Sequence, residues 1–427
     1  MGNGRARPAR CRRHAPQASC LLLLLAPMIV FAQAPDLLVN RQGWAQQDLS
    51  IRGSGYTGAG ISINGLNLTV PYSAHFNSEL PFPAYLLNVP EVQTGLNNIS
   101  GHPTGTVAYN TVLQEQAPQA SIGMGTKEHY EAGLSAQAGG VGAFLEWEKA
   151  RRIDYDSNGI DRYAGGASLQ AMRDDWTLDL IAAHQQKEFG AQGYYGIPSN
   201  VYAEDRLDDT LVFFGATHGE TDGAYFRSAG AWRQFDNEYR IPVSNVVSNV
   251  RSRFGTVMIE GRTLEIQNIS LNLRGNVEHQ AIDGDAGKHD RTRGSVLMLP
   301  QFTYEQFKFT AGLNTVFQTA ESAEWLPQAG IEWFPTDNST FYASYSEHVQ
   351  QPDFQTLYYS DPYHINNPTL QLQWSLNTEL GIWQFVSASL DWRAAAFHRR
   401  IEHASDWTKN SAADVAWTAT DLGTLDV

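Results

Sequence analysis

Residues 48–68 read DLSIRGSGYTGAGISINGLNL, residues 86–95 read LLNVPEVQTG, and residues 101–110 read GHPTGTVAYN. Together they draw Ser50-Ile51-Arg52-Gly53, Ile63-Asn64-Gly65 and Pro90-Glu91-Val92-Gln93-Thr94-Gly95 into one compact, glycine-rich unit. From residue 118 onward the pattern changes to short alternating strands that continue to the end of the chain.

Working outward, the segment before this unit reads as a cleaved export signal. Arg5, Arg7, Arg10, Arg12 and Arg13 form a basic stretch, Leu21 to Ala32 an apolar one, and Ala32-Gln33-Ala34 a small-residue cleavage site. The apolar run is shorter than the roughly 20 residues a spanning helix needs. Both cysteines, Cys11 and Cys20, leave with the signal, so the mature chain has no disulfide and no cysteine metal site. Five arginines and no acids leave too, which takes the net charge from −15 to −20. That acidity argues against nucleic acid as a partner. No other segment reaches the length of a spanning helix and mean hydropathy is −0.35, which together exclude a helical membrane protein. It leaves a barrel open, because barrel strands alternate lipid-facing with lumen-facing side chains over only about 9–11 residues.

Residues 323–349 show the two-residue period best. Ala329, Ile331 and Trp333 share one face and Gln328, Gly330 and Glu332 the other, before a turn at Pro335-Thr336-Asp337-Asn338. Trp333, Phe334, Phe341 and Tyr342 flank that turn, as an interfacial aromatic girdle requires. Short turns are expected near 138–140, 172–175, 218–223, 259–262, 335–339 and 385–388. Long polar loops are expected near 151–161, 187–206, 235–247, 278–292, 350–373 and 401–411, on the opposite, outward side. The strand count from residue 118 is about 16, even as bacterial barrels require. The predicted fold is an all-β antiparallel membrane barrel with a small N-terminal α+β plug. The predicted divisions are a signal peptide at 1–34, a plug at 35–115 and a transmembrane barrel at 116–427.

Residues 36–110 resemble the plug of TonB-dependent outer-membrane receptors. Ser50 to Gly53 matches that family's IRG strand, and Ile61 to Leu66 its vliDGi strand with Asn64 for Asp. Val89 to Gly95 matches its VEVlrGp segment, and Gly101 to Asn110 its closing strand. Phe189-Gly190-Ala191 and Glu379-Leu380-Gly381 are similar to its barrel features. The resemblance implies an outer-membrane receptor that takes up a scarce metal chelate, a ferric siderophore or cobalamin. It further implies a lipid-embedded barrel, energisation by the TonB complex, no enzymatic activity and no bound cofactor. The cobalamin-receptor-like branch is the nearest by motif. Against the family's roughly 22 strands, about 16 and an absent TonB box imply a chain shortened at both ends. A passive porin-like or adhesin-type barrel, a secreted all-β lectin or enzyme, and a non-functional receptor fragment are the alternatives.

The resemblance also implies plug–barrel contacts. The arginine of IRG pairs with wall glutamates in the family, which makes Arg52, Glu91, Glu332 and Glu379 the candidate contacts here. Thr94 stands where a second plug arginine is usual. For ligand binding, the glycine-rich loop at 53–60 offers Ser54, Tyr56 and Thr57, weighed against a plain turn. The long loops offer Tyr194, Tyr195, Tyr358 and Tyr359, with Tyr202, Tyr363 and Trp374, as rings suited to catechol-type or ring-shaped ligands. Asp154-Tyr155-Asp156-Ser157-Asn158-Gly159 copies the start of a calcium loop, but Gly165 occupies the position of the bidentate Glu, so an Asx-rich turn competes with a loose calcium site. No histidine spacing suggests zinc, and no nucleophile motif is present.

Overall fold

A computed structural model describes residues 36–427 apart from Gln42 and residues 84–85, 114–115, 152–157, 220–222, 320–321 and 388–389. The export signal at 1–34 and the acidic start of the 154–159 loop lie outside the described residues.

The N-terminal unit contains two small sheets. Strands β1 (Leu37–Arg41) and β2 (Gln47–Ile51) form a hairpin. Strands β3 (Ala59–Ile63), β4 (Leu66–Asn67), β5 (Glu91–Gln93) and β6 (Gly105–Tyr109) form a mixed sheet in the order β4-β3-β6-β5, with β3 parallel to β6. The β3–β4 turn places Asn64 and Gly65 at φ of 51° and 81°, the left-handed pair that a two-residue hairpin requires. Asn64 tolerates this conformation and ties the turn to Thr111 through its side chain.

The remaining strands are β7 (Gln116–Gly125), β8 (His129–Ala138), β9 (Val141–Ala150), β10 (Ile160–Arg173), β11 (Trp176–Gly190), β12 (Glu204–Gly219) and β13 (Tyr225–Ile241). They continue as β14 (Val246–Arg262), β15 (Ile269–Gly284), β16 (Gly287–Tyr304), β17 (Phe307–Gln318), β18 (Glu324–Thr336) and β19 (Ser339–Gln350). After the one-turn helix α1 (Phe354–Tyr358) come β20 (His364–Ile365), β21 (Gln373–Ser387), β22 (Leu390–Glu402), β23 (Ser405–Thr408), β24 (Trp417–Asp421) and β25 (Leu425–Asp426). Sixteen of these form one antiparallel sheet that runs from β7 to β25. Among the described residues the edge strands β7 and β25 pair on one side only. Strands β20, β24 and β23 form a separate small sheet above it.

The large sheet is two-faced, as its alternation dictates. Leu178, Leu180, Phe214, Trp232, Val257, Ile259 and Val277 are exposed on the outside. On the inside, Ile181, Leu211, Phe213, Phe254 and Met258 share a buried core with Ile51, Ile61, Ile63, Leu66 and Val107 of the N-terminal unit. The unit therefore has no closed core of its own, and its apolar side is completed by the wall. At the short-turn end, Phe307, Trp333 and Phe341 stack across neighbouring strands at 6.2 and 5.3 Å, an outward aromatic row.

Two expected loops are much smaller. Residues 278–292 are the ends of β15 and β16 joined at Asp285-Ala286, and 235–247 shrinks to a turn at Pro242–Ser244 and Asn245. These strands run to 16–18 residues. Only about 9–11 are needed to cross a bilayer, so their polar ends read as loop in the sequence while they continue as strand beyond the apolar band. Tyr342 is a second correction. Unlike Trp333 and Phe341 it faces inward and donates to Glu379.

Candidate functional site

The wall grips the N-terminal unit mainly through cations that reach main-chain oxygens. Arg233 of β13 has no exposed side-chain surface. Its Nε and Nη2 donate to Asp209 at 2.9 and 2.8 Å, its Nη1 to Leu68 O at 2.9 Å, and Nη2 also to Glu79 O at 2.6 Å. Arg399 of β22 donates to Asn377 Oδ1 (2.8 Å), Thr104 O (2.7 Å) and Ser54 Oγ (2.5 Å). Lys187 of β11 pairs with Glu79 at 2.8 Å and donates to Ala45 O. Arg274 of β15 pairs with Glu260 at 2.9 Å and donates to Gly65 O. Each cation satisfies a carbonyl that a turn or loop leaves unpaired, in a place where an unmet group would be costly.

Arg52 supplies the reverse contact. In a left-handed turn (φ 53°) after β2, it donates to both oxygens of Glu379 at 2.7 and 3.3 Å and to Asp36 at 3.0 Å. Its guanidinium stacks 4.6 Å over Phe397. Glu91 and Glu332 do not join this contact. Glu91 is exposed on β5 and forms no ion pair among the described residues. Glu332 is held by Lys308 at 2.7 Å, one strand away within the wall. Inward parity alone did not place Glu332, because a basic neighbour on the adjacent strand neutralises it first.

His102 fixes the unit on its β19 side. Its Nδ1 lies 3.0 Å from Gln350 Oε1, and its Nε2 lies 3.2 Å from both Thr69 Oγ1 and Asn67 Oδ1. Burial, aided by Arg293, lowers its pKa to about 4. A Cβ on Gly60 would stand 2.0 Å from the His102 ring, so only glycine admits it.

Above the unit, the loop tyrosines assemble into a closed mouth. Tyr194 and Tyr359 are buried, and Tyr195 and Tyr358 half-buried. Tyr195 lies 4.9 Å from His75, and Tyr56 stacks on the other side of His75 at 4.4 Å. His75 Nδ1 is 2.8 Å from Asp48, and its Nε2 is 3.1 Å from Tyr56 Oη. The connections after β19 and β22 fold over this cluster as a lid. Trp417 Nε1 donates to Gly196 O at 3.0 Å, and His364 Nε2 lies 3.0 Å from Tyr195 O. Phe354 N and Gln355 N donate to Pro71 O and Tyr72 O at 3.0 and 2.8 Å.

The glycine-rich loop splits accordingly. Tyr56 and Thr57 reach the lid region, Thr57 Oγ1 donating to Ser405 O at 3.5 Å. Ser54 instead turns into the wall at Arg399 and is not open to ligand. Trp374 donates to Glu347, and Tyr202 stays exposed beside Glu204. The wall anchors Arg233, Arg399, Lys187 and Arg274 were not among the sequence candidates. Their signal was present: each is a charge at an inward position of a strand, as Arg233 is between Ala231 and Phe235.

A large outward-apolar antiparallel sheet, wrapped around and cemented to a separate N-terminal unit, defines a filled outer-membrane barrel of the transport class. The sequence matches the family described as TonB dependent receptor-like, beta-barrel, over residues 95–420, and the chain belongs to that family. Its place is the outer membrane, its work is nutrient uptake, and it is a transporter rather than an enzyme. A ferric enterobactin receptor (PfeA) mutant from Pseudomonas aeruginosa shares the fold at a TM-score of 0.72 and 14% identity, over 94% of this chain and 74% of that one. The FrpB iron transporter from Neisseria meningitidis aligns at 0.70 and 14%, over 94% and 73%. The siderophore receptor PirA from Pseudomonas aeruginosa aligns at 0.70 and 14%, over 94% and 77%. No curated protein matches the sequence.

Proposed function

We propose that this chain is a receptor for ligand-gated, TonB-energised uptake of a metal chelate, a ferric siderophore or cobalamin. Residues 36–113 act as the plug and the strands from β7 onward as the lipid-embedded wall. The observation that carries the reading is the set of wall cations on plug carbonyls. Arg233, Arg399, Lys187 and Arg274 hold a unit that fills the lumen yet has no covalent tie to the wall beyond one chain connection. A passive pore has no use for such an obstruction. Tyr56, Thr57, Tyr195, Tyr358 and Tyr359 are the ligand-side residues of this reading, and Arg52 with Glu379 is its plug–wall ion pair.

The test is uptake of radiolabelled ferric siderophores and cobalamin by a Gram-negative host that lacks its own receptors, with and without TonB. Uptake that requires both this chain and TonB supports the proposal. Uptake that persists without TonB, at a rate proportional to concentration, establishes a porin instead.

A further inference from the structure

We propose that the mouth beneath the lid recognises an organic ammonium group, so that the ligand of this receptor carries a protonated amine. The proposal rests on the receptor reading above and names the chemistry of its ligand. Its centre is Asp205, at the outer end of β12 and only 2% exposed. Its Oδ2 accepts from Tyr195 Oη at 2.9 Å and its Oδ1 from Asn237 Nδ2. Among the described residues no lysine, arginine or histidine lies within ion-pair distance of it. The basic side chains nearby already have partners. Lys187 is held by Glu79 and Ala45 O, His75 by Asp48, His364 by Asp361, and Arg240 by Glu238.

Aromatic rings surround this carboxylate on several sides. Tyr195 and Tyr239 stand 5.8 Å apart at 76°, Tyr72 and Tyr359 6.3 Å apart at 87°, and Phe76 lies 6.4 Å from Tyr195 at 66°. Rings set nearly at right angles present both faces and edges to one space, and faces attract a cation through the ring quadrupole. These five rings and Asp205 line a cavity of about 20 Å³. A group about the size of one water needs roughly 10–15 Å³, so the space takes a single ammonium head and not a whole ligand. A second observation points to an occupant. Tyr239 lines the same cavity and is more than nine-tenths buried, and among the described residues its Oη has no hydrogen-bond partner. An ammonium offers three donors: one meets Asp205, one meets Tyr239 Oη, and the charge faces the rings. The cavity is roofed by His364, whose Nε2 lies 3.0 Å from Tyr195 O, so parting the lid opens it toward the outside.

The experiment uses the full chain in detergent and isothermal titration with cadaverine, with 1,5-pentanediol and glutarate as the neutral and anionic matches of equal length. Saturable binding of cadaverine is expected, with none of the diol or the diacid. Asp205→Asn is expected to weaken cadaverine at least tenfold. Tyr359→Leu keeps the carboxylate, removes one ring, and is expected to weaken it several-fold, which covers the case in which the first variant does not fold. Equal binding of diol and diamine, binding of glutarate in preference, or unchanged affinity in both variants overturns the proposal. The receptor reading fails separately. Cadaverine binding without TonB-dependent uptake of any chelate removes only that reading, and uptake of a chelate that Asp205→Asn leaves untouched removes only this one.

Discussion

Arg233→Met tests whether wall-to-carbonyl contacts hold the N-terminal unit. The arginine is replaced by an apolar chain of similar length. Asp209 then remains as a buried carboxylate with no exposed surface and no cation, and the carbonyls of Leu68 and Glu79 lose their donors. Breaking a buried pair from one side costs about 3–5 kcal/mol, and each orphaned carbonyl about 1–3 kcal/mol. The total is about 5–11 kcal/mol, lost mostly where β4 and the loop after it meet the wall. Arg233→Met with Asp209→Leu removes both charges and leaves only the two carbonyls, about 2–6 kcal/mol. Hydrogen exchange read at Leu68, Val70 and Glu79 separates the two. With about 1.4 kcal/mol per tenfold change, protection should fall by about four to eight decades in the single variant and by about two to three and a half decades less in the double one. If the double variant loses as much as the single one, the anchoring comes from the carbonyl bonds and the ion pair is incidental. If neither changes exchange in the N-terminal unit, Arg233 organises the wall alone and the anchoring argument is wrong.

Three further outcomes are expected. His102 is held neutral with its pKa lowered from 6.5 to about 4, so the unfolded chain takes up its proton first as the solution is acidified. The stability it confers is complete above pH 6.5 and is lost as pH falls toward 4, about 3 kcal/mol in all; a pH series of denaturant midpoints should show this slope in the native chain and lose it in His102→Gln. Gly60→Ala should cost about 1–3 kcal/mol because its methyl enters the His102 ring, and His102→Ala in the same chain should return most of that loss in thermal unfolding. Glu332→Gln breaks only the partly exposed Lys308 pair and should shift stability by less than about 1 kcal/mol; a larger loss would restore it to the plug contacts.

Much of the fold is legible in the sequence because a barrel wall repeats one simple rule. Ala329, Ile331 and Trp333 against Gln328, Gly330 and Glu332 sorts correctly by parity, and the aromatic ends of β17 to β19 mark the interface. Loop extent is less legible. Residues 278–292 are polar because β15 and β16 rise past the apolar band, where both faces of a strand meet water or a filled lumen, so composition no longer separates strand from loop. Trp417 meeting Gly196, 221 residues earlier, has no local signal at all. It depends on two connections crossing the mouth, which only the assembled wall brings together.

The anchors that were hardest to foresee have a common physical cause. A search for plug–wall contacts in sequence looks for complementary side chains, and Arg52 with Glu379 is such a pair. Arg233, Arg399, Lys187 and Arg274 complete their contacts on the carbonyls of Leu68, Glu79, Thr104, Ala45 and Gly65, which every residue type provides. No residue in the N-terminal unit has to match them, so only the wall half of each contact is written in side chains. The same asymmetry bears on release. A carbonyl contact is lost when the local backbone moves, whatever side chain it carries, and needs no proton transfer to break. A force that straightens β2 meets Arg52, Asp36 and Glu379 at its end first, while Arg233 and Arg399 hold the segments around Leu68 and Thr104. Such a unit yields in stages from its N-terminal hairpin inward, and the buried wall arginines set where the first stage stops.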